Sequence, residues 1–316
     1  MITLDHVKRA REKIAGRLHR TPLAGSATLS RMAGREVLLK LENLQKTGSF
    51  KPRGALNKIL SLGKEDLRRG VITISAGNHA QGAAFAASLT GTRAVVVMPA
   101  KASPAKVEAA RAYGAEVILH GDAAEAFRKV EEVRQERNLT FIHPFDDDAT
   151  IAGQGTVGLE IAEDRPDVET VIVPIGGGGL ISGVSLAVKS ALPSARVIGV
   201  EPAGAAGMHR SFEKGSPARL DRLETIADGL AAPFVGERNF EIARKYVDDL
   251  VMVEDAEICA AMRLLLERCK LLAEPAGAAA LAALLTGKAG GKGRTAVVVS
   301  GGNVSPDVLA SCIERD

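Results

Sequence analysis

At 316 residues the chain exceeds the roughly 250 to 300 residues that one hydrophobic core organises, so two lobes are expected. A hydrophobic share of 46% with 25% charged residues is that of a folded α/β protein and excludes disorder. The net charge of +3, from 41 basic and 38 acidic residues, gathers into no dense basic run, which argues against nucleic acid or a membrane surface as partner.

The chain opens on MITLDHVKRAREKIAGR, whose mixture of apolar and charged residues predicts an amphipathic helix. It lacks the apolar centre of a signal peptide, so a cytoplasmic location is expected. No apolar stretch reaches the ~20 residues of a membrane span. Next comes LENLQKTGSFKPRGAL, where Lys51 follows a Gly-Ser turn and Pro52 can open a helix. A lysine at the positive end of a helix, half buried beside Phe50, has its ammonium form disfavoured, as a Schiff-base lysine requires. Read alone, an ordinary solvated lysine is the plainer reading.

Short β-branched runs then alternate with helix-patterned segments: VITIS (71–75), AVVVMP (94–99), EVIL (116–119), TVIVPI (170–175), RVIGVE (196–201) and AVVVS (296–300). The alternation predicts βαβ units and mostly parallel sheet, and runs apolar at every residue predict helices on both faces. Gly153, Gly155 and Gly158 match a dinucleotide fingerprint by spacing. The acidic PFDDDATIA before them replaces the apolar strand that the fingerprint needs, which speaks against a nicotinamide-dependent oxidoreductase.

Gly176, Gly177, Gly178 and Gly179 follow TVIVPI and precede the helical LISGVSLAVKSAL. Without Cβ atoms their N–H groups can converge at a helix terminus, which predicts a phosphate loop, with a tight turn as the plain alternative. No Gly-Lys pair is followed by Ser or Thr, so this is not a P-loop. A second glycine pair, Gly301-Gly302, ends AVVVS; ligands collect at such carboxyl ends of strands. GKAGGKGR (287–294) reads as an exposed loop. Cys259, Cys269 and Cys312 show neither CxxC spacing nor a His cluster, so neither a disulfide nor zinc is expected and all three read as buried small side chains.

The set SFKPRGA around Lys51, SAGNHAQG (75–82), IAGQGTVGLEI (151–161), VPIGGGGLISG (173–183), ETIADG (224–229) and SGGN (300–303) resembles the fold-type II pyridoxal-phosphate enzymes. In particular it is similar to the threonine dehydratase and serine racemase family, in family order and across nearly the whole chain. The resemblance implies an α/β fold of two open, mostly parallel sheets flanked by helices, of tryptophan-synthase-β-like architecture. It implies a large cofactor domain from residues 1–61 and 147–316, and a small mobile domain, 62–146, carrying the loop for the substrate carboxylate.

The cofactor implied is pyridoxal 5'-phosphate, held covalently by Lys51, which later moves the Cα proton. By the same resemblance Gly176 to Gly179 hold its phosphate, Asn78 meets the pyridine hydroxyl, Phe50 and Gly229 flank the ring, and Ser300 faces the ring nitrogen. Ser75, Gly77, Asn78 and His79 grip the substrate carboxylate. Alone, Ser75 and Asn78 read as turn or cap residues and His79 as a core histidine. A neutral hydroxyl at Ser300 does not force the ring nitrogen to stay protonated, which favours elimination over transamination.

The implied reaction is L-threonine or L-serine dehydration (ammonia-lyase activity), giving 2-oxobutanoate or pyruvate plus ammonia. Serine racemase and 3-hydroxyaspartate dehydratase are the alternatives. Serine racemases carry a serine immediately before the Gly-Asn pair; Ala76 stands there and transfers no proton, so little racemisation is expected. Relatives that bind a divalent cation pair a Glu-Pro glutamate with an aspartate six residues on. Here Glu201-Pro202 is followed by Gly207 and by GMHRSF, as in single-domain catabolic threonine dehydratases, so no structural metal is expected. Thirteen residues follow Asn303, which leads to the expectation of no C-terminal regulatory domain. A small-molecule amino acid is the expected partner, and the assembly a homodimer or homotetramer.

Overall fold

The computed structural model describes residues 2–291 and 293–314. Among them ten strands run in chain order: β1 (Leu23–Gly25), β2 (Val37–Leu41), β3 (Val71–Ile74), β4 (Ala94–Met98), β5 (Glu116–Leu119), β6 (Thr140–Phe141), β7 (Thr170–Pro174), β8 (Arg196–Pro202), β9 (Asp249–Val253) and β10 (Thr295–Val299). They form a six-stranded sheet, β1-β2-β10-β7-β8-β9, and a four-stranded one, β5-β4-β3-β6. Every neighbouring pair is parallel except β1 with β2. The fold is the expected one of two mostly parallel sheets flanked by helices.

Each of the six runs read as strand is one. In the larger sheet Val171 and Val173 join one apolar cluster and Ile172 the other, so both faces are covered, as runs without polar alternation require. β5 departs from that expectation: it is the edge of the smaller sheet, and Glu116 and Leu119 are exposed. Four strands escape the sequence pattern. β1 and β6 are too short to show a period, β9 starts on exposed Asp249, and β2 carries Lys40 in its middle.

Lys40 is fully buried because it is paired. Its Nζ lies 2.6 Å from Glu160 Oε2, and Arg53 bridges Glu160 (2.7 Å) to Glu42 (2.7 Å) beneath it. Two cations and two carboxylates thus compensate one another inside the core, as buried charges require.

The helices Asp148–Asp164 and Gly179–Ala191 pack on each other at the centre of the molecule. A Cβ on Gly155 would lie 2.9 Å from the Gly183 carbonyl, and one on Gly158 2.7 Å from the Val184 carbonyl. The fingerprint glycines are therefore a helix-crossing surface, buried mid-helix with no loop around them. The N-terminal helix, Leu4–Ile14, buries Val7, Ala10 and Ile14 as its amphipathic pattern predicts.

The cysteine expectation is corrected. Cys259 and Cys312 form a disulfide joining helix Asp255–Leu264 to helix Pro306–Ile313, their Cα atoms 4.7 Å apart across 53 residues. Only the packing of those helices brings the two together, so their spacing carries no sign of it. Cys269 is half-buried, its Sγ 3.6 Å from Ser26 Oγ. Among the described residues no helix is long and apolar enough to cross a membrane.

Candidate active site

The carboxyl ends of β7 and β10 converge on one cavity. Lys51 is the first residue of helix Lys51–Ile59, with Pro52 in the first turn. The segment before it is stitched to the end of β10: Phe50 N–H donates to the Ser300 carbonyl (3.1 Å), and Ser49 bridges Gly301. Two residues on, Arg53 anchors the same helix in the buried charge network. The Lys51 Nζ donates to the Pro144 carbonyl at 3.2 Å and lies 5.1 Å from the Phe50 ring centre. Burial disfavours its ammonium form and lowers the pKa to about 8, opposed in part by the Glu274 carboxylate.

Gly176 to Gly179 wall the cavity opposite. Gly178 has φ +99°, and a Cβ on it would lie 2.7 Å from Asn239 Cβ, so glycine is required there twice over. Asn239 Nδ2 holds the loop by donating to the Gly177 carbonyl (3.0 Å) and the Phe145 carbonyl (3.2 Å). Gly179 starts the next helix, whose first turn leaves N–H groups without intrahelical partners. Phe50, Leu230, Gly229 and Ala276 close the sides, and Ser300 lies in the same lining, its Oγ donating to the Ala276 carbonyl at 3.2 Å. A lysine at one end, an N–H cradle and apolar walls fit a planar phosphorylated ring that bonds to an amine.

A second, wider cavity adjoins the first and shares Lys51, Asn78, Gly229 and Glu274 with it. Its floor is the loop from β3 into helix Asn78–Thr90. Ser75 Oγ accepts from the Gly77 N–H at 3.1 Å, the turn geometry noted as its plain reading, while a Cβ on Gly77 would meet open space. Asn78 accepts from Asn303 Nδ2 (2.8 Å) and donates to Glu274 (2.6 Å), which uses one of its two amide protons. His79 is buried against the Ile142 carbonyl (3.1 Å) and lines this cavity too; burial, then the Lys51 charge, lowers its pKa to about 3 and keeps it neutral. Ala76 also lines the cavity. The structure thus brings all the expected site residues around two connected spaces.

A family profile described as pyridoxal-phosphate dependent enzyme matches residues 14–301. The chain belongs to that family. It is 48% identical to an L-threonine ammonia-lyase of Thermotoga maritima over all of this enzyme and 79% of that relative. Among solved structures it is similar to the threonine deaminase of T.th., at 43% identity and a TM-score of 0.92 over 96% of this enzyme and 99% of that chain. Maize serine racemase matches with a TM-score of 0.94 at 40% identity, covering 98% and 96% respectively. The enzyme's cofactor is pyridoxal phosphate.

Sequence reasoning missed Glu274, which borders both cavities. Burial, with the Asp228 charge second, raises its carboxyl pKa to about 8. The available signal was its place immediately before Pro275 and a wholly apolar helix, Pro275–Leu285, a position that buries whatever caps it. Glu201, the candidate cation ligand, is committed elsewhere: its two oxygens accept from the Met208 (2.7 Å) and His209 (2.8 Å) N–H groups at the start of helix Gly207–Lys214. Among the described residues no cluster of three or more His, Cys, Asp or Glu is placed to hold a metal ion.

Proposed function

We propose that the enzyme dehydrates L-threonine and L-serine by β-elimination, releasing 2-oxobutanoate or pyruvate and ammonia. One observation carries the reading: a half-buried lysine of lowered pKa stands between a glycine cradle and the first turn of helix Asn78–Thr90. The names of the relatives support it. Pyridoxal phosphate, when bound, supplies the electron sink that makes the substrate Cα proton acidic.

The enzyme's own groups supply the rest. Lys51 Nζ would hold the cofactor and serve as the base for the Cα proton; burial lowers its pKa to about 8, so more of it is unprotonated near neutral pH than of a solvated lysine. Gly176 to Gly179 would present N–H groups to the phosphate, and Phe50 and Gly229 would confine the ring. Asn78 would offer its second amide proton to the cofactor, while Glu274 accepts the first. Ser75, Gly77, Asn78 and His79 form the floor that receives the substrate carboxylate at a helix terminus. Ser300 would supply a neutral hydroxyl to the cofactor ring, a setting that favours elimination.

Ala76 separates this reading from racemisation, because its methyl group holds no proton to return to the opposite face. Residues 62–146 form the mobile part that closes over substrate, and 1–61 with 147–316 the fixed part; the separate four-stranded sheet supports that division. A homodimer or homotetramer is the proposed assembly, supported by the exposed Leu44 and Leu272, whose segments are joined by the Asn43 side chain at 3.0 Å.

The test is to load the enzyme with cofactor, incubate it with each amino acid and identify the 2-oxo acid. L-threonine and L-serine should yield one, and Lys51→Ala should lose the visible absorbance of the lysine-bound cofactor and at least ~10³-fold in turnover. A cofactor-loaded enzyme that acts on neither amino acid ends the proposal.

A further inference from the structure

The mouth of the wider cavity is spanned by one ion pair. Lys106, on helix Pro104–Ala112, donates to the Asp228 carboxylate, in the loop that runs into Gly229. Both side chains line the cavity that contains Lys51 and the 75–79 floor. They are 30% and 62% exposed, so the pair adds little to stability and its place over the cavity calls for another reason. Deeper in, the Glu274 carboxyl feels both charges, raised by Asp228 and lowered by Lys106, so the three act on one another. Next to the pair the lining includes the small apolar Ala231, Ala232 and Pro233, with Phe145 and the amide of Asn303 elsewhere in the wall. A methyl or hydrogen at the substrate Cβ meets no uncompensated charge there. A carboxylate at Cβ would meet a Lys106–Asp228 pair whose charges already match, and so would find no free cation in that pair.

We propose that Asp228 sets the substrate class by neutralising Lys106, so that the enzyme accepts β-hydroxy amino acids with uncharged side chains and rejects those with a β-carboxylate, such as 3-hydroxyaspartate. The inference rests on the dehydratase reading and deepens it. Removing the Asp228 charge leaves Lys106 free to pair with a second substrate carboxylate. Removing Lys106 as well takes that partner away.

The experiment compares kcat/KM for 3-hydroxy-L-aspartate and L-threonine in the cofactor-loaded wild type, Asp228→Asn, Asp228→Ser and the double variant Asp228→Asn/Lys106→Met. Calorimetric titration with L-aspartate, which has both carboxylates and no leaving hydroxyl, runs alongside. Each single variant should raise the 3-hydroxyaspartate-to-threonine ratio by roughly tenfold or more and tighten L-aspartate by a similar factor, the scale of one partly solvated charge pair. The double variant should lose both gains. A ratio within about threefold of wild type in both single variants, or a gain that survives the loss of Lys106, overturns the proposal. Wild-type enzyme inert toward threonine and serine would instead refute the dehydratase reading, while the L-aspartate titration still reports the charge effect.

Discussion

The two connected cavities are built by different means. The glycine-lined end is made of backbone: Gly176 to Gly179 between β7 and a helix, with the lysine segment bridged to β10 and anchored by Arg53 in a closed charge network. The wider end is made of side chains that meet across the two sheets: Asn78 with Glu274 and Asn303, and Lys106 with Asp228. A backbone cradle is shaped by steric limits that most side chains would break, whereas pairs of side chains can be retuned one at a time. The cofactor end is therefore where change should be most damaging, and the substrate end where it should redirect chemistry.

The largest effect should come from breaking the cofactor end's foundation. Arg53→Ala leaves Glu42 and Glu160 buried without their shared partner and should destabilise the fold by about 3 to 5 kcal/mol, read from chemical denaturation. A loss near that of an exposed arginine would show that the network is not what fixes Lys51. Next is Gly178→Ala, which forces a left-handed backbone on alanine and crowds Asn239. Cofactor affinity should fall by roughly tenfold to a hundredfold, measured by titrating the cofactor-free protein with pyridoxal phosphate. Unchanged affinity would mean that the loop is not the phosphate site.

Glu274→Gln probes the boundary between the two ends. In the cofactor-free protein the folded carboxyl keeps its proton up to about pH 8, whereas the unfolded one releases it near 4.5. A folded pKa raised in this way means stability is lost as pH climbs from 4.5 to about 8, with Asp228, Lys106 and Lys51 the charges facing the group. The variant has no such loss, so its stability relative to wild type should improve across that window by roughly 1 to 3 kcal/mol. A difference flat with pH would place the titration elsewhere. The smallest effect is at Ala76→Ser, which should raise L-serine racemisation severalfold, followed by chiral chromatography, because it adds a proton-bearing group to the substrate floor. Racemisation no higher than wild type counts against the role given to Ala76.

Much of this site is legible in sequence because its conformational demands are local. Gly178 is needed for its own positive φ, Pro52 opens the helix that begins at Lys51, and the apolar runs of β7 and β10 announce buried parallel strands whose ends collect ligands. On local grounds Lys51 reads as a solvated lysine; in the fold it is half-buried among Pro144, Phe145 and Glu274, each more than ninety residues away in the chain.

The sequence by itself determined the strand and helix alternation, the glycine cradle and the absence of a hydroxyl at Ala76, since each follows from backbone sterics or from the chemistry of one residue. Only the tertiary structure decided the burial of Lys40 and Arg53, the pairing of Cys259 with Cys312, the raised pKa of Glu274 and the ion pair at the cavity mouth. Those depend on which distant groups stand within a few ångströms, and desolvation and charge act through space without regard to position along the chain. The glycine loop was thus readable from one short stretch of the chain, while the substrate class waited on Lys106 meeting Asp228 across 122 residues.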